Sequence, residues 1–517
     1  MRIGLGQVNP IVGDLEGNVE RCLAAVAAAR RAGAELIVLP ELAIPGCHPR
    51  DILFDPSFPP AVAAATADLA ERTRDGPPVI VGTLAPAVHR APRHPGLYNA
   101  ALLLEGGVAR LVAAKRILPT HDVFSEPRWF VPGPASSPIT VAGLRLGILF
   151  GDDLDDAGGA FSPAAALQAA GAEILICLAA SPYRRAILDE RLAAARRPGC
   201  PLVYVNLCGG NDELIYDGRS FTLDRDGAVI EQLPGFIPDV CVVELDAPQT
   251  CQALRKCLAR DADRWEAELF GALVLGVRDF VQKNALDQAW LGLSGGIDSA
   301  LVAVIAAEAL GAGHVSAVAI PSRYTDPRST TAAQALADNL GIPLHVVPLE
   351  PLHVAAEAAL GDLLAGGTTA ENLQARLRML ILMAFVNQHG GILLNTSNKT
   401  ELALGYGTVY GDLAGILSPL GDLTKTDVIA LARWINRERV VIPTFILDRP
   451  PSAELKPDQV DPFDYPVVAP AIERVVQEDR SNPILRRTEH KRWQGGVILK
   501  VSARAFGRGR QAPITRR

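Results

Sequence analysis

The chain has 517 residues, more than one hydrophobic core organises, which predicts two large domains. Its 49% apolar and 21% charged residues are those of a globular protein, and no apolar run reaches the roughly eighteen residues of a transmembrane helix. A net charge of -7 excludes general nucleic-acid binding, and the 8 cysteines show neither a C-x-x-C pair nor zinc spacing, so reduced, mostly buried thiols are expected.

In chain order, Met1–Leu5 enters a strand-like pattern directly, without the three-part layout of a signal peptide, so a cytoplasmic location is expected. Ile3–Val8 predicts a strand, then an Ala-rich helix from Asn18, read as its N-cap, to Ala32. Further strands are expected at Glu35–Leu39, Val79–Gly82, Tyr98–Leu103, Leu144–Phe150, Glu173–Cys177 and Leu202–Asn206. Turns at Glu105-Gly106-Gly107 and Asp224–Gly227 predict hairpins. Residues 1–248 therefore read as a layered α/β domain with many antiparallel pairs. Residues 249–264 are polar and charged and read as a linker, and residues 265–517 form the second domain. It opens with a helix from Trp265 to about Lys283. Strands at Trp290–Leu293, Val315–Ile320, Leu344–Val347 and Gly391–Leu394 then alternate with helices. Such alternation predicts a doubly wound parallel sheet, with ligands at the carboxyl ends of its strands. The stretch from Arg487 to Arg517 is locally basic, as a solvated tail or a partner for small phosphates.

The segment Leu293-Ser294-Gly295-Gly296-Ile297-Asp298-Ser299 follows a strand and opens a helix. Glycines let backbone N–H groups approach an anion, and the helix N-terminus adds partial positive charge. Ser294 and Ser299 offer hydroxyl donors, and Asp298 suits a hard cation such as Mg²⁺. The loop lacks the terminal G-K-[ST] of a Walker A motif. It resembles the pyrophosphate-binding loop of enzymes that cut ATP to AMP and pyrophosphate.

The likeness extends along the chain. Pro321–Tyr324, Glu371–Arg376 (E-N-x-Q-A-R), Asn395–Glu401 (T-x-N-K-[ST]-E), Tyr410–Gly415 (Y-G-D-x-A-G), Thr424-Lys425-Thr426, Pro450–Leu455 and Lys500–Thr515 resemble the NAD synthetase family. Gln7–Asp14 resembles the opening of nitrilase-fold amidases. Together the two halves resemble a glutamine-dependent NAD synthetase. That resemblance implies an α/β protein with an N-terminal nitrilase-like α-β-β-α sandwich and a C-terminal sheet of the adenine-nucleotide α-hydrolase-like type. It implies amidation of deamido-NAD through an adenylylated carboxylate, with ATP, Mg²⁺ and ammonia, in a homo-oligomer. By resemblance, Ser294, Gly295, Gly296, Asp298, Ser299, Arg376, Thr396 and Lys425 contact ATP. Asn372, Glu401, Asp412 and Lys491 face the pyridine dinucleotide, and Asp298 and Glu401 face the metal. Taken singly, Asn372 also reads as a helix cap, Glu401 as a surface partner of Lys399, and Lys491 as a tail residue.

Two departures lie in the second half. Thr331-Ala332 stands where the family often has acidic residues, and the segment from Asp479-Arg480-Ser481 to Glu489 is shortened.

The amidase half departs further. The resemblance assigns a base to Glu41 in Leu39-Pro40-Glu41-Leu42, an oxyanion-stabilising lysine to Lys115, a second carboxylate to Glu126, and a cysteine nucleophile to the end of Gly147–Asp153. That position is Gly151. Asp152 is expected to point elsewhere, Cys177 to be a buried small hydrophobe, and Cys47 to lie out of register with the nucleophile. His121 stands where relatives often carry tyrosine. Glu41 and Lys115 then read as a leftover buried ion pair. The leading expectation is an ammonia-using NAD synthetase. The alternatives are a paralogue amidating another pyridine carboxylate or nucleotide, and a non-catalytic partner of an active synthetase.

Overall fold

The computed structural model describes residues 1–88, 91–154, 162–245, 252–253, 265–364, 367–457, 459–478 and 482–507. Most of the expected linker, Cys251, Cys257, Asp479-Arg480-Ser481 and the chain beyond 507 lie outside the described residues. The chain divides into two compact units, Met1–Asn211 with Ile215–Asp261, and Asp212–Leu214 with Ala262–Arg517.

The first unit holds a 7-stranded and a 6-stranded sheet. In the larger, Arg2–Gln7, Leu36–Val38 and Val79–Pro86 run parallel, flanked by antiparallel neighbours Asp239–Glu244 and Leu97–Glu105. In the smaller, Leu144–Phe150, Ile174–Ala179 and Leu202–Asn206 are parallel, with antiparallel strands on both flanks. Alternation places Ile3, Leu5, Leu36 and Val38 of one sheet in the same core as Leu146, Ile148, Phe150 and Ile176 of the other. The opposite face of the smaller sheet, including Leu149, Leu175 and Cys177, packs with Leu167 and Ala195 from the helices Pro163–Ala169 and Ile187–Arg196. On the larger sheet, Gly4 lets the helix Leu15–Arg31 come close, because a Cβ there would stand 2.8 Å from that of Ala29. The result is an α-β-β-α sandwich.

Most predicted strands agree with the observed ones within two residues, but the first helix begins earlier than expected. Its N-cap is Asp14, whose side chain accepts from Gly17 N. Asn18 is instead buried inside the helix, where its amide donates to the carbonyls of Ile11 at 2.7 Å and Ile44 at 2.8 Å. A residue that ties two loops to a helix carries the same sequence signal as a cap.

The second unit is built on a 4-stranded sheet in the order Leu344–Val346, Val315–Ala319, Ala289–Gly292, Ile392–Leu393. All three pairings are parallel. From Ala289–Gly292 the chain winds outward through two strands, then returns to place Ile392–Leu393 on the other side. The strand order therefore reverses next to Ala289–Gly292, the place where doubly wound sheets open a crevice at their carboxyl edge. No helix among the described residues is long and apolar enough to cross a membrane.

Candidate active site

At that crevice the second unit has a cleft of about 490 Å³. Ser294, Gly296, Asp298 and Ser299 line one wall and Asn395, Thr396 and Glu401 another. The loop is closed by its own hydroxyls: Ser299 Oγ donates to Gly296 O at 3.0 Å and stands 3.1 Å from Ser294 Oγ. Gly296 caps the helix Ile297–Leu310, whose N-terminus offers unpaired N–H groups and positive potential. Gly295 has φ +80°, and a Cβ there would fall 2.3 Å from Ser329 O, so only glycine fits. Gly295 shapes the loop from behind rather than lining the cleft.

Across from the loop, Asn398 caps the helix Lys399–Leu404 in a capping box with Glu401. The Asn398 amide also donates to Asp298 Oδ1 at 2.9 Å. Lys425, at the start of the helix Lys425–Ile435, donates to Asp298 Oδ2 and, at 3.3 Å, to Glu401 Oε1. Burial and the neighbouring Asp298 charge push the Glu401 carboxyl up to about 7, against the pull of Lys425. Two carboxylates at this spacing hold more negative charge than one lysine neutralises. They are hard oxygen donors on the wall of a cleft, which fits a Mg²⁺ ion that takes one or two carboxylates and completes its shell from phosphate and water. Among the described residues no group of three His, Cys, Asp or Glu forms a complete metal cage. Lys399 does not pair with Glu401. It is buried between Asp422 at 3.0 Å and Glu473 at 2.6 Å.

Asn372, Asp412 and Lys491 also line the cleft. Asn372 Oδ1 accepts from Thr408 Oγ1 at 2.7 Å, and Asp412 Oδ1 from Thr408 N at 2.8 Å. Burial raises the Asp412 carboxyl above its ordinary range. Lys491 donates to the carbonyls of Gly405 at 2.7 Å and Gly407 at 2.9 Å. Arg376 is exposed, donates to Val409 O at 3.2 Å, and is not among the cleft-lining residues. Arg378, two residues on, does line the cleft, and its Nε donates to Ile320 O at 3.2 Å. Helical spacing was the available signal, since Asn372, Ala375, Arg378, Met379 and Leu382 share one face and all line the cleft. Tyr406, Arg449 and Asp461 were also missed, because they come from loops that only folding brings to the site.

In the first unit, Glu41, Lys115 and Asp152 all follow strand ends. Lys115 Nζ lies 2.9 Å from Glu41, 2.8 Å from Glu126 and 2.6 Å from Asp152. Glu41 Oε1 also accepts from the Asn99 amide at 2.6 Å, and Oε2 from Ala180 N at 3.0 Å. Burial, then the Glu126 and Asp152 charges, raise Glu41 to about 7 although Lys115 opposes them. The Asp152 contact corrects the expectation for that residue: the 3-10 turn Gly151–Leu154 swings its carboxylate back onto the lysine. Asp153 is buried and accepts from Arg116 N, Ile117 N and Phe150 N, tying that turn to the Lys115 strand. Gly151 opens the turn, and a Cβ there would stand 3.3 Å from Ala179 Cβ and 3.5 Å from Tyr204 Oη. Cys177 is fully buried in the core. Cys47 is also buried and takes the Tyr216 hydroxyl at 3.4 Å, while His48 lies 3.7 Å from Glu126.

The family model for NAD synthase matches residues 269–498, and that for carbon-nitrogen hydrolase matches residues 2–256. The glutamine-dependent NAD(+) synthetase of Rhodobacter capsulatus is 40% identical over 100% of this chain and 98% of its own length. The chain belongs to the glutamine-dependent NAD(+) synthetase family. The Synechocystis synthetase is 39% identical over 99% of this chain and 98% of its own. A solved glutamine-dependent NAD+ synthetase from Acinetobacter baumannii, in complex with ADP, superposes with a TM-score of 0.81 at 28% identity, covering 99% of this chain and 98% of that one. The synthetase family membership accounts for both units: a carbon-nitrogen hydrolase fold around Glu41 and Lys115, and a synthase fold around the Ser294–Ser299 loop.

Proposed function

We propose that the chain amidates deamido-NAD to NAD with ATP, taking free ammonia as the nitrogen donor. The observation that carries the reading is a contrast between two strand ends. In the second unit a glycine-rich loop, a helix N-terminus and the Asp298–Lys425–Glu401 cluster converge on one cleft. In the first unit the strand Leu144–Phe150 ends on Gly151, which has no side chain to attack an amide.

A carboxylate resists attack by ammonia until it is esterified to a good leaving group. In this reading the Ser294–Ser299 loop and the Ile297 helix N-terminus hold the polyphosphate, and Thr396 orients the nucleotide. Asn372, Asp412 and Lys491 hold the dinucleotide acid. Its carboxylate attacks the α-phosphorus of ATP, expels pyrophosphate and forms an acyl adenylate. Ammonia then adds to the acyl carbon and expels AMP, leaving the carboxamide and releasing one proton. Asp298 and Glu401 would hold Mg²⁺, which supplies charge neutralisation on the phosphates. Lys425 keeps the two carboxylates together and adds positive charge at the same wall. Gly295 serves the loop through its backbone, and Arg376 stands outside the cleft-lining residues.

The buried Glu41–Lys115–Glu126 cluster has a structural role here, because losing one partner leaves an uncompensated buried charge. The test is NAD formation by the purified chain with ammonium or glutamine as the nitrogen source. Activity with ammonium and none with glutamine is expected. Glutamine supporting the same rate, in a preparation free of other glutaminases, would overturn the nitrogen assignment.

A further inference from the structure

We infer that Arg449 is a polyphosphate-binding side chain of the cleft, held ready beside the Ser294–Ser299 loop by Ser329 and Glu454. Arg449 closes the short helix Thr444–Asp448 and lines the cleft. Its Nη1 donates to Ser329 Oγ at 2.5 Å and its Nη2 to Glu454 Oε1 at 2.8 Å. Ser329 Oγ donates to the same carboxylate oxygen at 2.9 Å, and Asp326 N at 3.4 Å. Ser329 is fully buried, and its carbonyl is the atom that presses against Gly295 from behind the loop. The guanidinium is thus one residue removed from the loop that the proposed function assigns to ATP.

The charges around the cleft say why this cation matters. Among the described residues four cationic side chains line it: Arg378, Lys425, Arg449 and Lys491. Lys425 is already paired with two carboxylates, Lys491 is bound to two carbonyls of the segment Gly405–Gly407, and Arg378 is bound to Ile320 O. The loop contributes N–H groups and hydroxyls but no cation, while a triphosphate brings several negative charges. Arg449 stands next to that loop, and its partner Glu454 also lines the cleft with 14% of its side chain exposed. A guanidinium fork that holds a carboxylate fits phosphate oxygens equally well, so ligand can take over the bond that Glu454 makes. The segment that carries Glu454 has other ties: Gln374 donates to Leu455 O at 2.8 Å, and Ser452 Oγ to Gln459 O at 2.5 Å. Replacing Arg449 therefore leaves the segment anchored and separates ligand binding from folding.

The inference rests on the proposed use of ATP, and its test is read in binding as well as turnover. Equilibrium binding of a non-hydrolysable ATP analogue with Mg²⁺, and of adenosine, is measured on the full chain and on Arg449→Ala, Arg449→Lys and Glu454→Gln. Arg449→Ala is expected to weaken the analogue about tenfold or more, as loss of a charged hydrogen bond does, and to leave adenosine unchanged. Arg449→Lys is expected to fall between, and Glu454→Gln to bind as tightly as the parent or tighter. In NAD formation the KM for ATP rises in Arg449→Ala while that for deamido-NAD holds. Parent-like analogue binding by Arg449→Ala would overturn the inference. So would equal weakening of analogue and adenosine with a lowered Tm, which marks a purely structural tie. A parent chain that binds the analogue but forms no NAD overturns the proposed function and leaves this inference standing.

Discussion

The two units each bury a lysine among carboxylates, and the clusters are chemically alike. Lys115 meets Glu41, Glu126 and Asp152, and Lys425 meets Asp298 and Glu401. In each, burial and a like-charged neighbour raise one glutamate to about 7, Glu41 in the first and Glu401 in the second. What differs is the surroundings. The second cluster lies on the wall of a cleft, beside a loop shaped to receive an anion. The first lies beside a glycine. An ion cluster thus reports where a sheet gathers charge, and the atoms next to it decide whether that charge does chemistry.

The comparison breaks most sharply at Asp298. Asp298→Asn is expected to lower the rate of ammonium-driven NAD formation by about a thousandfold or more, because it removes one of the two carboxylates proposed to hold the Mg²⁺ that neutralises the phosphates. A near-normal rate would equate the two clusters as structural. The counterpart in the first unit is Lys115→Ala. It leaves the buried Glu41 and Glu126 and the part-exposed Asp152 without this cation and is expected to cost about 3–5 kcal/mol of stability, read by denaturant unfolding, while folded protein retains its ammonium-dependent kcat. A fall in kcat with stability unchanged would give the first cluster a catalytic part.

Gly151→Cys sharpens the contrast by supplying a thiol. The new Cβ would stand 3.3 Å from the Cβ of the buried Ala179, so the Gly151 turn has to give by a few tenths of an ångström. Glutamate release from glutamine is expected to rise from none to measurable, checked by coupled glutamate assay. Its absence would show that the pocket differs in more than this residue.

The smallest effect concerns pH. Glu41 titrates higher in the folded chain than its ordinary 4.5, so the folded state holds the proton more tightly than the unfolded state. Its contribution is favourable at low pH and is lost as pH rises from about 4.5 to about 7. Glu41→Gln should flatten the decline of Tm across that window, measured by thermal unfolding at steps of pH. An unchanged slope would place the titration elsewhere.

Local pattern carried much of this protein. Short apolar runs marked Leu144–Phe150 and Leu202–Asn206 to the residue, and the glycine pair before Asp298 marked the strand-to-helix loop, because both signals come from neighbours along the chain. Arg376 and Arg378 show the limit: a motif named the first, and only the helix face turned toward the sheet edge put the second in the cleft. Asp152 shows it again, since a single 3-10 turn returned its carboxylate to Lys115. Ser329, on the helix Pro327–Leu340, lies over a hundred residues from Arg449 and Glu454, which follow the helix Thr444–Asp448, and the three meet only in the folded unit. By itself the sequence determined which residues alternate, which turn, and that Gly151 has no side chain, since each follows from local backbone and side-chain chemistry. The tertiary structure alone decided which charges touch, because contact between distant residues depends on how the sheets bring their ends together.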